Sequence, residues 1–314
     1  MPLGAKSPCS PISEKKEARS MQTLREVLDQ AQQRGVTVGH FNISDLVLLK
    51  AVAAAAQELG VPVLVGASQG ERDFMGVRQI AALVKSLREE SGVPIFLNAD
   101  HTHSLAKAEE AARAGFDSIV FDLSALPWDE NVRQTREAVT ALKSISPSIL
   151  IEGEIGDIGT GSEIHETTID LSKGLTTPEE AKQFVEATGI DILAPAVGNM
   201  HGMSRSMVRG EARKHLDIKR IAEIKAATQI PLTLHGGSGT DDEDFRKAIA
   251  AGINIAYVNT ELRVAWRQGL KASLAKNPDE VVPYKILPPV IESVKEVAIA
   301  RLQLFNSARL VAQG

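Results

Sequence analysis

A chain of 314 residues, 43% hydrophobic and 24% charged, has the composition of a globular protein with a large buried core, and its formal charge of −5 argues against a general nucleic-acid surface. Its single cysteine, Cys9, excludes a disulfide framework and a cysteine-based zinc site, and makes a reducing, cytoplasmic setting the default. No apolar run approaches the roughly 18 residues of a membrane span, and residues 1–20 lack the apolar segment of a signal peptide, so they read as a flexible N-terminal tail.

In chain order, short β-branched runs predict strands at Val36–Asn42, Val61–Ser68, Pro94–Asp100, Ser118–Asp122, Ile149–Glu154, Asp191–Val197, Pro231–His235 and Asn254–Val258. Amphipathic segments alternate with them, such as Ser44–Leu59 with Val47, Leu48, Ala51 and Ala55 at helical spacing. Gly115, Gly189 and Gly252 each close a helical run ahead of a strand. Eight such units predict an α/β fold of the (β/α)8 TIM-barrel type, one domain over residues 21–314. Two connections stand out. Gly156–Thr176, rich in Gly, Ser and Thr, is long enough to be a lid over the catalytic face. Met203–His215, with Arg205, Arg209, Arg213 and Lys214, reads either as a solvated charged loop or as an anion-binding one.

The strand ends carry the chemistry. His101, His201 and His235 each close an apolar run, so neighbouring parallel strands bring them to one rim. Three imidazoles with an open position make a catalytic zinc arrangement. Such an ion acts as a Lewis acid on a carbonyl and needs a proton-transfer group beside it. Asp100 precedes His101 directly; it is the candidate, with a helix cap or a partner for an imidazole as the alternative. Glu152 and Glu154, two apart on one strand face, are costly inside a barrel unless a cation or hydrogen bonds compensate them. Gly236, Gly237 and Ser238 follow His235, and Asn259-Thr260 opens the helix after the eighth strand. Loops after strands seven and eight are the usual phosphate position in these barrels. His40 reads as a core ring, and His103 as a loop residue that competes for the metal at most.

These motifs resemble a known family. Asn98-Ala99-Asp100-His101, Ile151-Glu152-Gly153-Glu154-Ile155-Gly156, Gly198-Asn199-Met200-His201-Gly202, Leu234-His235-Gly236-Gly237-Ser238-Gly239 and Asn259-Thr260-Glu261-Leu262-Arg263 are similar, in order and spacing, to those of the class II, zinc-dependent ketose-bisphosphate aldolases. The resemblance implies a glycolytic or related carbohydrate lyase that reversibly cleaves a ketose 1,6-bisphosphate to dihydroxyacetone phosphate and an aldehyde phosphate. Fructose 1,6-bisphosphate is the first expectation; tagatose 1,6-bisphosphate, another phosphorylated ketose, or a non-catalytic sugar-phosphate binder are the alternatives. It further implies Zn2+ held by His101, His201 and His235 with Glu154 nearby as an alternative ligand, and Asp100 as proton donor and acceptor. Gly202, Gly236, Ser238, Asn259 and Thr260 would hold the phosphate, often with a monovalent cation (Na+ or K+), and Asn42 and Ser68 would line that end. Glu163, or Glu166 second, would be the lid acid that deprotonates dihydroxyacetone phosphate. A homodimer or homotetramer is expected.

The chain also departs from the family pattern. Tyr257 stands where the family has an Asn and Asn259 where it has an acid. Arg205 stands near the usual Lys and offers a fork for phosphate or carboxylate. Read as a specificity change, Tyr257 predicts that Tyr257→Asn raises turnover of fructose 1,6-bisphosphate if that is not the native substrate.

Overall fold

The computed structural model describes residues 22–159, 161, 163–165 and 174–305. Among them are ten strands: β1 (Val38–Asn42), β2 (Val63–Ala67), β3 (Ile95–Thr102), β4 (Ser118–Phe121), β5 (Leu150–Ile155), β6 (Ile164–His165), β7 (Ile192–Pro195), β8 (Met203–Ser204), β9 (Leu232–Leu234) and β10 (Ile253–Val258). Eight close a parallel barrel in the order β1-β10-β9-β7-β5-β4-β3-β2, while β6 and β8 pair separately. Each barrel strand overlaps one expected from the sequence. Helices lie between them, as a parallel sheet requires of its crossovers. The fold is a (β/α)8 TIM barrel.

Period-two alternation sorts the strand residues into two cores. Inside the barrel, Leu64, Phe96, Val120, Leu150, Ile192 and Ile255 form one cluster with Val27, Leu28 and Ala31 of the helix Leu24–Arg34. That helix begins with a Thr23/Glu26 capping box, which satisfies its first amides. It packs on the inward residues near the strand starts and leaves the strand ends for the site. Residues of opposite parity, among them Phe41, Val65, Leu97, Ile119 and Ile151, pack outward with the surrounding helices. Each fully buried aliphatic chain contributes about 1.5–3 kcal/mol, so the frame can carry polar groups at one end.

The two irregular connections are joined to each other. Ile164 and His165 pair in parallel with Met203 and Ser204, and the Met203 amide donates to the Glu163 carbonyl at 2.9 Å. The insertion read as a loop holds a short helix, Arg205–Val208, capped by the Ser204 hydroxyl. No helix among the described residues is long and apolar enough to cross a membrane.

Candidate functional site

In a regular strand, Asp100 and His101 would point to opposite faces. The pairing of β3 with β4 shifts register between Ala99 and Thr102, and His101 has a φ of +28°. A left-handed backbone without glycine is strained by about 1 kcal/mol or more. Here it swings both side chains to the barrel mouth, with Asp100 Oδ1 3.6 Å from His101 Nε2.

His101, Glu154, His201 and His235 come from the ends of β3 and β5 and from the loops after β7 and β9. Each offers one donor atom, and these atoms lie within 4.8 Å of one another. His101 Nε2 and His235 Nδ1 are 3.1 Å apart, close to the roughly 3.3 Å that separates ligands in a tetrahedron of 2 Å bonds. The opposite ring nitrogens are engaged by carboxylates: His101 Nδ1 with Asp122 Oδ2 at 2.8 Å and His235 Nε2 with Glu152 Oε1 at 2.7 Å. Those partners hold the N–H on the far side of each ring, so two lone pairs face each other in the centre. Only a shared proton or a metal ion makes that contact favourable.

Beside this pair, three buried atoms of the same cluster, Glu154 Oε2, His201 Nε2 and Asp100 Oδ1, lack a hydrogen-bond partner among the described residues. Buried polar atoms normally have one, so this cluster fits a cation better than a set of protons. Without an ion, the surrounding charges set which groups carry protons. Burial disfavours a charged His101 ring, but Asp100, the Asp122 hydrogen bond and Glu154 outweigh it and lift its pKa to about 10. Burial, reinforced by Asp122, pushes the Glu154 carboxyl up to about 7 against the pull of His101 and His235. Asp100 is likewise raised by burial, yet His101, His40 and His235 prevail and hold it well below the usual carboxylate range. Nitrogen and carboxylate donors in this mixture suit zinc or a similar divalent ion.

Beside the donors lies a small cavity lined by Asn42, Asp100, His201, Gly202, Gly236, Ser238, Tyr257, Asn259 and Thr260. It abuts the start of the helix Thr260–Lys276, where the Asn259 and Glu261 amides donate to the Ser238 hydroxyl at 3.2 and 3.4 Å. Close approach of the loops explains Gly236: at φ +60° an added Cβ would stand 2.1 Å from the Met200 carbonyl oxygen. Asn42 joins the set by donating to Asp100 Oδ2 at 2.8 Å and to Glu71 Oε2 at 3.0 Å. A larger cavity of about 600 Å³ opens outward, lined among others by Ser68, Asp100, His103, Glu163, His201 and Arg263.

Most of the expected residues therefore meet in one place. Gly237 does not: its amide already donates to the Tyr257 carbonyl at 3.0 Å, and it lines neither cavity. Arg205 is exposed on its short helix and also lines neither. Glu166 lies outside the described residues. His40 is the core ring expected: burial, the largest influence, pulls its pKa to about 3, and it stacks on Tyr257 with centroids 3.4 Å apart. His103 is directed to the Asp122 carbonyl at 2.9 Å.

Two residues gave little signal in the sequence. Asp122 lies in the family-like run Phe121-Asp122-Leu123-Ser124, but its link to His101 exists only after β3 and β4 pair. Lys214 sits in a basic run that reads either as solvated or as anion-binding, and it is 1% exposed. Its Nζ donates to the carbonyls of Met200, Gly202 and Gly236 at 2.7, 2.6 and 2.9 Å.

Comparison with known proteins agrees with this architecture. The family model "Fructose-bisphosphate aldolase class-II" matches residues 22–309. The fructose-bisphosphate aldolase of Geobacillus stearothermophilus is 35% identical over 297 residues, covering 94% of this chain and all (100%) of the relative. That of Thermus caldophilus is 34% identical over 303 residues, covering 90% and 97%. Among solved structures, the YdjI aldolase of Escherichia coli K12 superposes with a TM-score of 0.77 at 28% identity, over 90% of this chain and 97% of that one. The chain belongs to the class-II fructose-bisphosphate aldolase family of aldehyde-lyases.

Proposed function

We propose that this protein is a zinc-dependent aldolase that reversibly cleaves a ketose 1,6-bisphosphate, fructose 1,6-bisphosphate first, to dihydroxyacetone phosphate and an aldehyde phosphate. The observation that carries the proposal is the gathering of His101, His201, His235 and Glu154, with unpartnered buried atoms, between Asp100 and a glycine-lined cavity. Those four residues would hold the ion, which supplies Lewis-acid polarisation of the substrate carbonyl.

The remaining steps belong to the chain itself. Gly202, Gly236, Ser238, Asn259 and Thr260 line the cavity that takes the phosphate next to the carbonyl, and Asn42 shares it. Anchoring that end fixes the reacting carbons beside Asp100 and lowers the entropic part of the barrier. Asp100 accepts the proton of the hydroxyl on the far side of the breaking carbon–carbon bond as that carbon becomes an aldehyde. The bonding pair stays with the dihydroxyacetone phosphate fragment. In the other direction Asp100 returns the proton. Glu163, which lines the larger cavity with Ser68, would exchange the carbon-bound proton of dihydroxyacetone phosphate. The distal part of the sugar would extend into that cavity toward Arg263, which donates to Glu71 at 2.7 Å.

A coupled assay on fructose and tagatose 1,6-bisphosphates, with and without a chelator, tests the reading. Chelator-sensitive release of dihydroxyacetone phosphate is expected, restored by Zn2+. Binding of these sugars with no turnover of any ketose bisphosphate would make the chain a sugar-phosphate binder instead.

A further inference from the structure

Lys214 is among the largest fully buried side chains of the protein. Burying an ammonium without compensation is costly, so its surroundings require an account. The three carbonyl oxygens of Met200, Gly202 and Gly236 converge on Nζ, which carries three N–H donors, and each donor has one acceptor. An uncharged amine would turn a lone pair toward one of these oxygens, so the geometry selects the charged form. Burial, with only the more distant Glu261 opposing it, pulls the ammonium down to about 7; the three carbonyl dipoles act against that.

The backbone of Lys214 is also clamped. Its amide donates to Gly239 and its carbonyl accepts from Asp241, in an isolated bridge beside Thr240. The side chain therefore extends from a fixed point into the gap between the loops after β7 and β9. Gly202 and Gly236, two of the three residues whose carbonyls accept from Lys214, line the small cavity. No carboxylate makes an ion pair with Lys214 among the described residues, so its charge is left to act on whatever occupies that cavity. A ring of main-chain carbonyls facing one point is the usual coordination of a bare alkali cation; here a side chain supplies the charge.

We propose that Lys214 is a tethered monovalent cation: its ammonium occupies the carbonyl cage beneath the phosphate cavity and positions both loops, so the protein binds the phosphate of its substrate without taking up Na+ or K+. This rests on the phosphosugar reading of the site, and it replaces the free cation expected from the family resemblance with a residue of this chain.

Binding of dihydroxyacetone phosphate and of fructose 1,6-bisphosphate to the zinc-loaded protein, measured by calorimetry in choline, potassium and ammonium chloride at equal ionic strength, tests it. The wild type should bind with the same affinity in all three salts and melt at the same temperature. Lys214→Met, which keeps most of the bulk, should bind at least about tenfold more weakly in choline, and potassium or ammonium should restore much of the loss. If the wild type itself binds severalfold more tightly in potassium than in choline, the role assigned to Lys214 is wrong, whether or not the variant folds. Equal affinity of wild type and Lys214→Met in choline also overturns it. Failure of the wild type to bind either ligand in any salt would instead remove the phosphosugar reading, and this role with it.

Discussion

Asp100 and His101 are consecutive residues whose side chains meet on the same side of the barrel mouth, 3.6 Å apart, because the left-handed turn at His101 cancels the alternation of the strand. On the proposed reading, the same residue pair supplies a metal donor and a proton-transfer group to one substrate. The two roles can be separated. Asp100→Ala should leave metal content near that of the wild type and cut turnover by about 10²–10⁴-fold, the usual contribution of a positioned proton-transfer group. Asn42 would lose one of its two carboxylate acceptors but keep Glu71, so the stability cost should be about 1 kcal/mol. Metal analysis beside steady-state kinetics checks this. Loss of metal in step with activity would assign Asp100 to holding His101.

Asp122 makes a complementary case, because its carboxylate contacts the His101 ring at 2.8 Å. Its carboxylate, 2.8 Å from Nδ1, favours a proton on that nitrogen and would leave Nε2 for an ion. Asp122→Asn should weaken zinc affinity by about 10–100-fold, while turnover at saturating zinc changes far less. Competition with a metallochromic chelator measures the first quantity. Unchanged zinc affinity would show that the ring is oriented by other contacts.

Removal of the metal should change how stability depends on pH. In the metal-free protein His101 has a pKa raised from 6.5 to about 10. Protonation therefore favours the folded state; that contribution is complete below pH 6.5 and disappears as pH rises through 10. The chelated protein should melt at progressively lower temperature over this interval. With zinc bound, the rings are already neutral and acid competes with the ion, so loss of stability should come from the low-pH side. Melting curves at pH 6 to 10, with zinc and with chelator, distinguish the two; parallel curves would mean that His101 does not exchange protons for metal.

How much of this was legible beforehand depended on the range of each interaction. The eight barrel strands were readable because every one is a short apolar run bounded by glycine or polar residues, a local property. His101, His201 and His235 were readable as one group because each terminates such a run. The left-handed turn at His101 left no local trace, since neither glycine nor asparagine marks it. Asp122 and Lys214 depend on partners brought in by folding: burial separates Lys214 from Arg209 in the same basic run, and composition does not record burial. Gly237 had the right chemistry for an anion, but pairing with Tyr257 had already taken its amide.

Tyr257 is where motif and physics diverge most. By sequence position it replaces a substrate-contacting residue of the family, which suggests that Tyr257→Asn raises turnover of fructose 1,6-bisphosphate if that is not the native substrate. In the structure Ile255 and Tyr257 share the inward face of β10 and the interior cluster. The Tyr257 ring lies between His40 and His235, with centroids 3.4 and 4.1 Å away, and its hydroxyl donates toward Glu152 at 3.3 Å. Glu152 is the carboxylate that orients His235. Although Tyr257 borders the small cavity, most of its ring supports the metal-donor set. Tyr257→Asn should therefore destabilise the fold by about 3 kcal/mol, as large-to-small core changes do, and should loosen zinc without raising turnover of either bisphosphate. Tyr257→Phe keeps the stack and removes only the hydroxyl, so it should cost about 1 kcal/mol. Denaturant titrations with zinc analysis and kinetics on both variants decide the matter. A Tyr257→Asn protein that keeps its zinc and turns over fructose 1,6-bisphosphate faster would restore Tyr257 as a determinant of specificity.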